Sequence, residues 1–235
     1  MEQEFSKIFI GALESTPEGK KVLEEVGDVF RSSWDTMHEG NIYMLGFNPG
    51  GKGGEGCTVR ESICKTEEKG WSDYYDERWG GKECGQHRHQ LNVKKYLEKE
   101  SLNLPIKSVP ASNVLFVSGE TVEKTKDRTL DLEPCWLVHK AALKIIKPKV
   151  ILCLGNGEHR YKSAYAYIRS RVGMEYKDCS RCGNIKWFEC SPRLLYEATA
   201  DSPMILVIGV PHPSRFDPSS EMLGVVSNLY KERVG

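Results

Sequence analysis

Ile42-Tyr43-Met44-Leu45-Gly46-Phe47-Asn48-Pro49-Gly50 opens on four apolar residues in a row and closes on a turn. The run does not alternate polar with apolar, which suits a strand covered on both faces, as in a parallel sheet. Three further runs share that character: Asn113-Val114-Leu115-Phe116-Val117, Val150-Ile151-Leu152-Cys153-Leu154 and Met204-Ile205-Leu206-Val207-Ile208-Gly209-Val210. Helical patterns separate them, at 90–102, at 134–146 with Pro148 as its stop, and near 159–171. A possible edge strand at 185–188 and a C-terminal helix from about Ser220 complete the chain. This alternation predicts an α/β fold, a three-layer αβα sandwich around a central four-stranded parallel sheet whose strands end at Leu45, Val117, Leu154 and Val210.

Ahead of the first strand, Thr16-Pro17-Glu18 is a helix start with a capping hydroxyl and proline in the first turn. Val22, Leu23, Val26, Phe30 and Trp34 follow at near-helical spacing, and Gly40-Asn41 ends the unit. The expected organisation is a single domain over 1–235, with an N-terminal helical part at 1–40 and an α/β core at 41–235. Residues 50–56 are too rich in glycine for a stable helix. The aromatic and polar stretch 57–89 reads as a long functional loop with a helix inside.

Across 235 residues, 33 Lys and Arg balance 33 Asp and Glu, so no general attraction to polyanions follows. The distribution is uneven. Residues 144–193 hold eleven basic against four acidic residues, a local +7, whereas 1–40 hold nine acidic against four basic, a local −5. The basic stretch is compatible with a phosphate-contacting face or with a solvated helix face. No run of 18 apolar residues exists for a membrane span, and Met-Glu-Gln-Glu is not a secretory start. The expectation is a cytoplasmic protein (nuclear if eukaryotic), without a membrane partner, monomeric, and with its eight cysteines reduced.

Gly46-Phe47-Asn48-Pro49-Gly50 follows the first strand, and His212-Pro213-Ser214-Arg215 follows the last. In an open parallel sheet, ligands sit outside the carboxyl ends of strands where the order reverses, so these loops are expected to meet. The pair resembles the uracil-DNA glycosylase superfamily, whose first loop has the form Gly-x-Asp/Asn-Pro and whose second has the form His/Asn-Pro-Ser. With Asn48 in place of Asp, the first loop is closest to the mismatch-specific and single-strand-selective branches. The resemblance implies hydrolysis of an N-glycosidic bond in single- or double-stranded DNA, with no cofactor, no metal and no covalent intermediate. It implies Asn48 and His212 as catalytic residues, with Gly46, Phe47, Pro49, Gly50, Pro213, Ser214 and Arg215 around the substrate. Asn48 would hold the water and neutral His212 would donate to the leaving base, aided by the backbone N–H groups of Gly46 and Phe47. Arg215 and Phe216 are both candidates for the side chain that fills the vacated stack.

Two positions depart from the family pattern. The efficient branch has an Asn after its second strand to read the uracil edge, whereas the run here continues Val117-Ser118-Gly119-Glu120. The stacking aromatic must come from Trp71, Tyr74 or Tyr75. Gly50 stands where the strict uracil enzymes carry a Tyr, which implies room for larger 5-substituted pyrimidines.

Other patterns compete. Gly46 to Gly53 nearly matches a phosphate-binding Gly-x-x-x-x-Gly-Lys-Ser/Thr loop, but Gly53 replaces the metal-ligating hydroxyl. Cys179-x-x-Cys182 with Cys190, and Cys57, Cys64, Cys84, His87 and His89, are possible metal ligands; buried or turn cysteines are the default. A catalytically silent nucleic-acid-binding module of the same fold is the third reading.

Overall fold

The computed structural model describes residues 2–50, 56–65, 70–99, 101–119, 132–159 and 162–235. Six strands form one mostly parallel sheet: β1 (Ile42–Gly46), β2 (Ala111–Asn113), β3 (Val150–Leu154), β4 (Lys177–Cys182), β5 (Ile185–Cys190) and β6 (Ile205–Val210). Their order is β2-β1-β3-β6-β5-β4. Three of the four expected runs pair in parallel as β1, β3 and β6, in registers such as Met44↔Leu152 and Leu152↔Ile208, while the parallel neighbour β2 shares only Asn113, opposite Gly46, with the run expected at 113–117. The expected four-stranded sheet is corrected to six. β5 pairs antiparallel with β6, and β4 pairs antiparallel with β5 through a two-residue turn in which Gly183 has φ +54°. The stretch expected as an edge strand is therefore interior to the sheet, and β4 takes the edge.

Continuous apolar runs are explained by two cores. Tyr43, Leu45, Ile151, Cys153 and Val207 enter one, while Ile42, Met44, Leu152, Leu154 and Ile208 enter the other. Helices α1 (Glu2–Glu14), α2 (Pro17–Glu24), α3 (Val59–Lys65), α6 (Leu132–Ile146) and α7 (Ala164–Val172) contribute to the first core. The second is closed by α4 (Asp73–Asp76), α5 (Arg88–Leu97) and α8 (Ser220–Val234).

Local chemistry sets the helix ends. Thr16 caps α2 through a bond from Gly19 N–H, with Pro17 in the first turn. That helix stops at Glu24, so Val26, Phe30 and Trp34 do not continue it. They are carried by a covering segment that bridges Gly27 to Val117 and Phe30 to Ser112. This segment lies along the outer edge of β2 and shields it from further pairing. The apolar run 114–117 is thus buried by cover, and the second strand ends four residues earlier than its hydrophobicity suggests. Helix α1 follows no signal used above; its Phe9 and Leu13 join the core beside Phe30 and Trp34. Helix α5 starts at Arg88 because His87 and Gln90 form a reciprocal capping box. Helix α6 ends at Ile146, followed by Lys147 at φ +45° and then Pro148. The segment expected near 159–171 becomes helical at Ala164, capped by Ser163.

Candidate functional site

From β1 the chain passes through α3, α4 and α5 to β2 on one side of it, whereas from β3 it runs on through α7 towards β6 on the other side, so the chain diverges at the carboxyl ends of β1 and β3. That is where an open α/β sheet leaves a crevice. Both motif loops rise from this edge, after β1 and after β6, with only β3 between them. Two inter-strand spacings amount to ~10 Å.

In the first loop Phe47 and Pro49 are buried, Asn48 is half-buried and Gly50 is exposed with open space around it. Val114 N–H donates to the Gly46 carbonyl (3.0 Å) and Leu115 N–H to that of Phe47 (2.8 Å), which fixes the loop against the chain after β2. Asn48 Nδ2 donates to the Pro49 carbonyl at 3.2 Å. Its Oδ1 is the end left to accept from a water.

Asn113 changes the reading of this loop. It closes β2 opposite Gly46, is buried, and its Nδ2 has no hydrogen-bond partner. A methyl group on Gly46 would collide with Asn113 Oδ1, so the glycine is what lets the amide lie against the loop. The expectation that the second strand lacks a terminal Asn is corrected; the strand ends at Asn113, not at Val117. An orphaned amide donor in a protein interior costs about 1–3 kcal/mol. Behind it, His139 Nε2 meets the Asn113 carbonyl at 2.9 Å and His139 Nδ1 meets Tyr43 Oη at 3.0 Å. Burial pushes His139 down to about 4, so this support is uncharged at neutral pH.

His212 sits half-buried over the end of β3, where Gly155 adopts φ +119° and a Cβ would lie 3.7 Å from His212 Cδ2. Ser214 donates to His212 Nδ1 through its backbone N–H (3.3 Å), and the Ser214 hydroxyl lies 2.7 Å from the same nitrogen. A backbone N–H can only donate, so Nδ1 is the acceptor and the proton of the neutral ring belongs on Nε2. Burial, and then Arg215, hold His212 below the ordinary imidazole range. The loop is a tight turn, with Arg215 and Phe216 N–H both donating to the His212 carbonyl (2.9 and 3.2 Å). Pro213 is buried, Ser214 half-buried, and Arg215 and Phe216 exposed.

Helix α5 anchors this turn. Asn92 Nδ2 meets the Pro213 carbonyl (2.8 Å), the Phe216 carbonyl (3.2 Å) and Asp217 Oδ1 (2.8 Å). Arg88 adds bonds to Asp217 and to the Arg215 carbonyl. His89 packs edge-on against His212, ring centroids 5.2 Å apart at 78°, and against Trp79 at 5.5 Å and 88°. Burial, with His212, Arg31 and His87 adding to it, pushes His89 down to about 3. Of the three aromatics expected to stack on a base, Tyr74 is buried against Trp79 and His89. Trp71 instead bonds Asp73, and Tyr75 is exposed under Lys94 and Lys107. Asn92, Trp79 and the His89 packing were not singled out from the sequence. The one available signal was a polar Asn on the inward face of an amphipathic helix.

Several other expectations take definite positions. In the basic stretch, Lys144 pairs with Glu197, Lys147 with Glu39, Arg171 with Glu133, and both Lys186 and Arg169 with Glu158. Much of its charge is therefore neutralised locally. Cys179 and Cys182 are exposed on β4 with free thiols, and Cys190 on β5 is buried. Among the described residues no group of three or more His, Cys, Asp or Glu is placed to hold a metal ion. Gly51, Lys52 and Gly53 of the phosphate-loop reading, and Glu120, lie outside the described residues. No helix among the described residues is long and apolar enough to cross a membrane. The chain matches no family model and no curated protein.

Proposed function

We propose that this protein is a monofunctional DNA glycosylase of the uracil-DNA glycosylase superfamily, hydrolysing the N-glycosidic bond of uracil or of a modified or mismatched pyrimidine in DNA. The observation that carries the reading is the shared sheet edge: the Asn48 and His212 loops leave parallel strands separated only by β3. Helices on both faces of the parallel set β2-β1-β3-β6 suit the three-layer sandwich of that superfamily.

In this mechanism the target base leaves the stack and enters the crevice. As the C1′–N1 bond breaks, its electron pair departs with the base and positive charge develops on the sugar. His212 Nε2–H donates to the base O2 and stabilises the forming anion, the role its tautomer suits. Asn48 Oδ1 holds the water that adds to C1′, and the proton released goes to solvent or to the departing base. An amide is not a general base, so the water step is slower than with a carboxylate. Asn113 offers its unpartnered Nδ2 to a carbonyl on the base edge, a reader's task. Phe216, the exposed aromatic beyond Arg215, is the side chain suited to fill the vacated stack.

The test is base release from oligonucleotides carrying uracil, thymine in a mismatch, or a 5-substituted pyrimidine, scored by alkaline cleavage at the abasic site. Release of at least one of these bases is expected. Binding without release from any of them would leave a catalytically silent DNA-binding module and overturn the proposal.

A further inference from the structure

A groove of about 870 Å³ lies along α5, lined also by Lys82, Gln86 and residues 103–105. Its upper wall is the back of the His212 turn, since Arg88 and Asn92 line the groove while bonding Arg215, Pro213 and Asp217. Five cations, Lys82, Arg88, Lys94, Lys95 and Lys99, face two carboxylates, Glu98 and Asp217. Arg88 is paired with Asp217 at 3.0 Å, and Lys94 donates to the Gly85 carbonyl. Lys82, Lys95 and Lys99 have no ion-pair partner among the described residues. This contrasts with the basic stretch at 144–193, where acidic neighbours neutralise many of the cations.

Apolar groups collect at the same place. Of the five exposed large hydrophobic side chains among the described residues, Leu91 lines the groove and Phe216 adjoins Asp217 at its upper end. Tyr75 lies 4.5 Å beneath Lys94 at its side. An excess of cations with interspersed apolar faces is the pattern that holds an unpaired nucleic-acid strand, phosphates on the charges and bases on the flat side chains. A duplex keeps its base faces stacked inside and would leave Tyr75 and Leu91 unused.

We propose that the α5 groove is a track for a single DNA strand, carrying the strand that flanks the nucleotide held in the crevice. The proposal rests on the glycosylase reading for its purpose, though strand binding itself does not require base release. The probe is a 5′-labelled 15-nucleotide deoxyadenosine strand, which carries no pyrimidine, alongside a duplex of equal length. Fluorescence anisotropy across a salt series reads both. The single strand should bind more tightly than the duplex. Lys95→Glu with Lys99→Glu should weaken strand binding at least tenfold and flatten the slope of log affinity against log salt by about 1.4, two phosphate contacts' worth. Lys82→Glu, on a separate segment, should act in the same direction, and Tyr75→Ala should cost about tenfold. Thermal midpoints of all variants should stay within a few degrees of the parent, since these side chains reach solvent.

Equal affinity of parent and charge-reversed protein, preference for duplex, absence of strand binding, or equal binding of a poly-glutamate peptide would each overturn the groove. The two readings fail separately. Base release from a uracil strand with unaltered strand binding in the variants removes the groove and leaves the enzyme. Groove-dependent strand binding with no base released does the reverse.

Discussion

With Ser214 N–H donating to Nδ1, neutral His212 carries its proton on Nε2, and a second proton on Nδ1 would break the bond that seats the ring in its turn. Protonation would bring a second proton into a buried site beside Arg215, and both burial and that neighbour hold the residue below its ordinary range. The rate of base release should therefore stay level as pH falls to 6.5 and decline only at lower pH, as the imidazole charges. A single-turnover pH profile checks this; a decline centred above 6.5 would contradict the environment described for the ring. Asn113→Ala removes the buried amide that lies against Gly46, so release of uracil should slow by roughly tenfold to a hundredfold, with binding of undamaged DNA little changed. Competition between uracil and 5-substituted strands would read that loss. Asn48 and His212 were legible because turn chemistry after an apolar run is local. Asn113 was not, because the apolar residues after it are buried by the 26–32 segment, and hydrophobicity alone cannot separate cover from strand pairing.

At the scale of elements, α5 is the part that converts helix geometry into loop geometry. Asn92 Nδ2, from a buried position, lies within hydrogen-bond distance of two carbonyls of the His212 turn and of the Asp217 carboxylate. Asn92→Ala leaves the Pro213 carbonyl without its donor, at a cost of about 1–3 kcal/mol in unfolding free energy. It should also slow base release, since the turn that carries His212 loses its tie to the helix. Urea denaturation and single-turnover kinetics together measure the two effects, and Asn92→Asp should not rescue either because it cannot donate. The helix itself was readable from periodicity at 90–102, yet its start is set two residues earlier by the His87–Gln90 capping box. The β4–β5 hairpin stayed hidden because β4 is polar: Lys177, Asp178, Ser180 and Arg181 give an edge strand no hydrophobic signature.

Across the whole molecule, β1, β3 and β6 were legible as apolar runs because both faces of each strand are covered, one core on each side, whereas β2 carries only the first residue of the run read for it. The antiparallel extension and the N-terminal cover were not, since each depends on contacts between distant segments. The same buried architecture makes stability depend on pH. His139, fully buried between Tyr43 and Asn113, stays neutral in the folded chain down to about pH 4, while in the unfolded chain it takes a proton below about 6.5. The unfolded state then binds more protons, so this residue's share of stability is lost as pH falls from 6.5 towards 4, at about 1.4 kcal/mol per pH unit. His139→Gln, whose side chain can still donate and accept, should show a shallower fall in unfolding free energy over that window; parallel curves would refute the linkage. If two loops brought to one sheet edge form one catalytic site, base release needs both of them. Single-turnover release of uracil from a defined oligonucleotide by the parent, Asn48→Ala and His212→Ala proteins at saturating enzyme tests this. Release by the parent, slowed by roughly a hundredfold or more in each variant while DNA binding is retained, is the expected result. Undiminished release in either variant would contradict it.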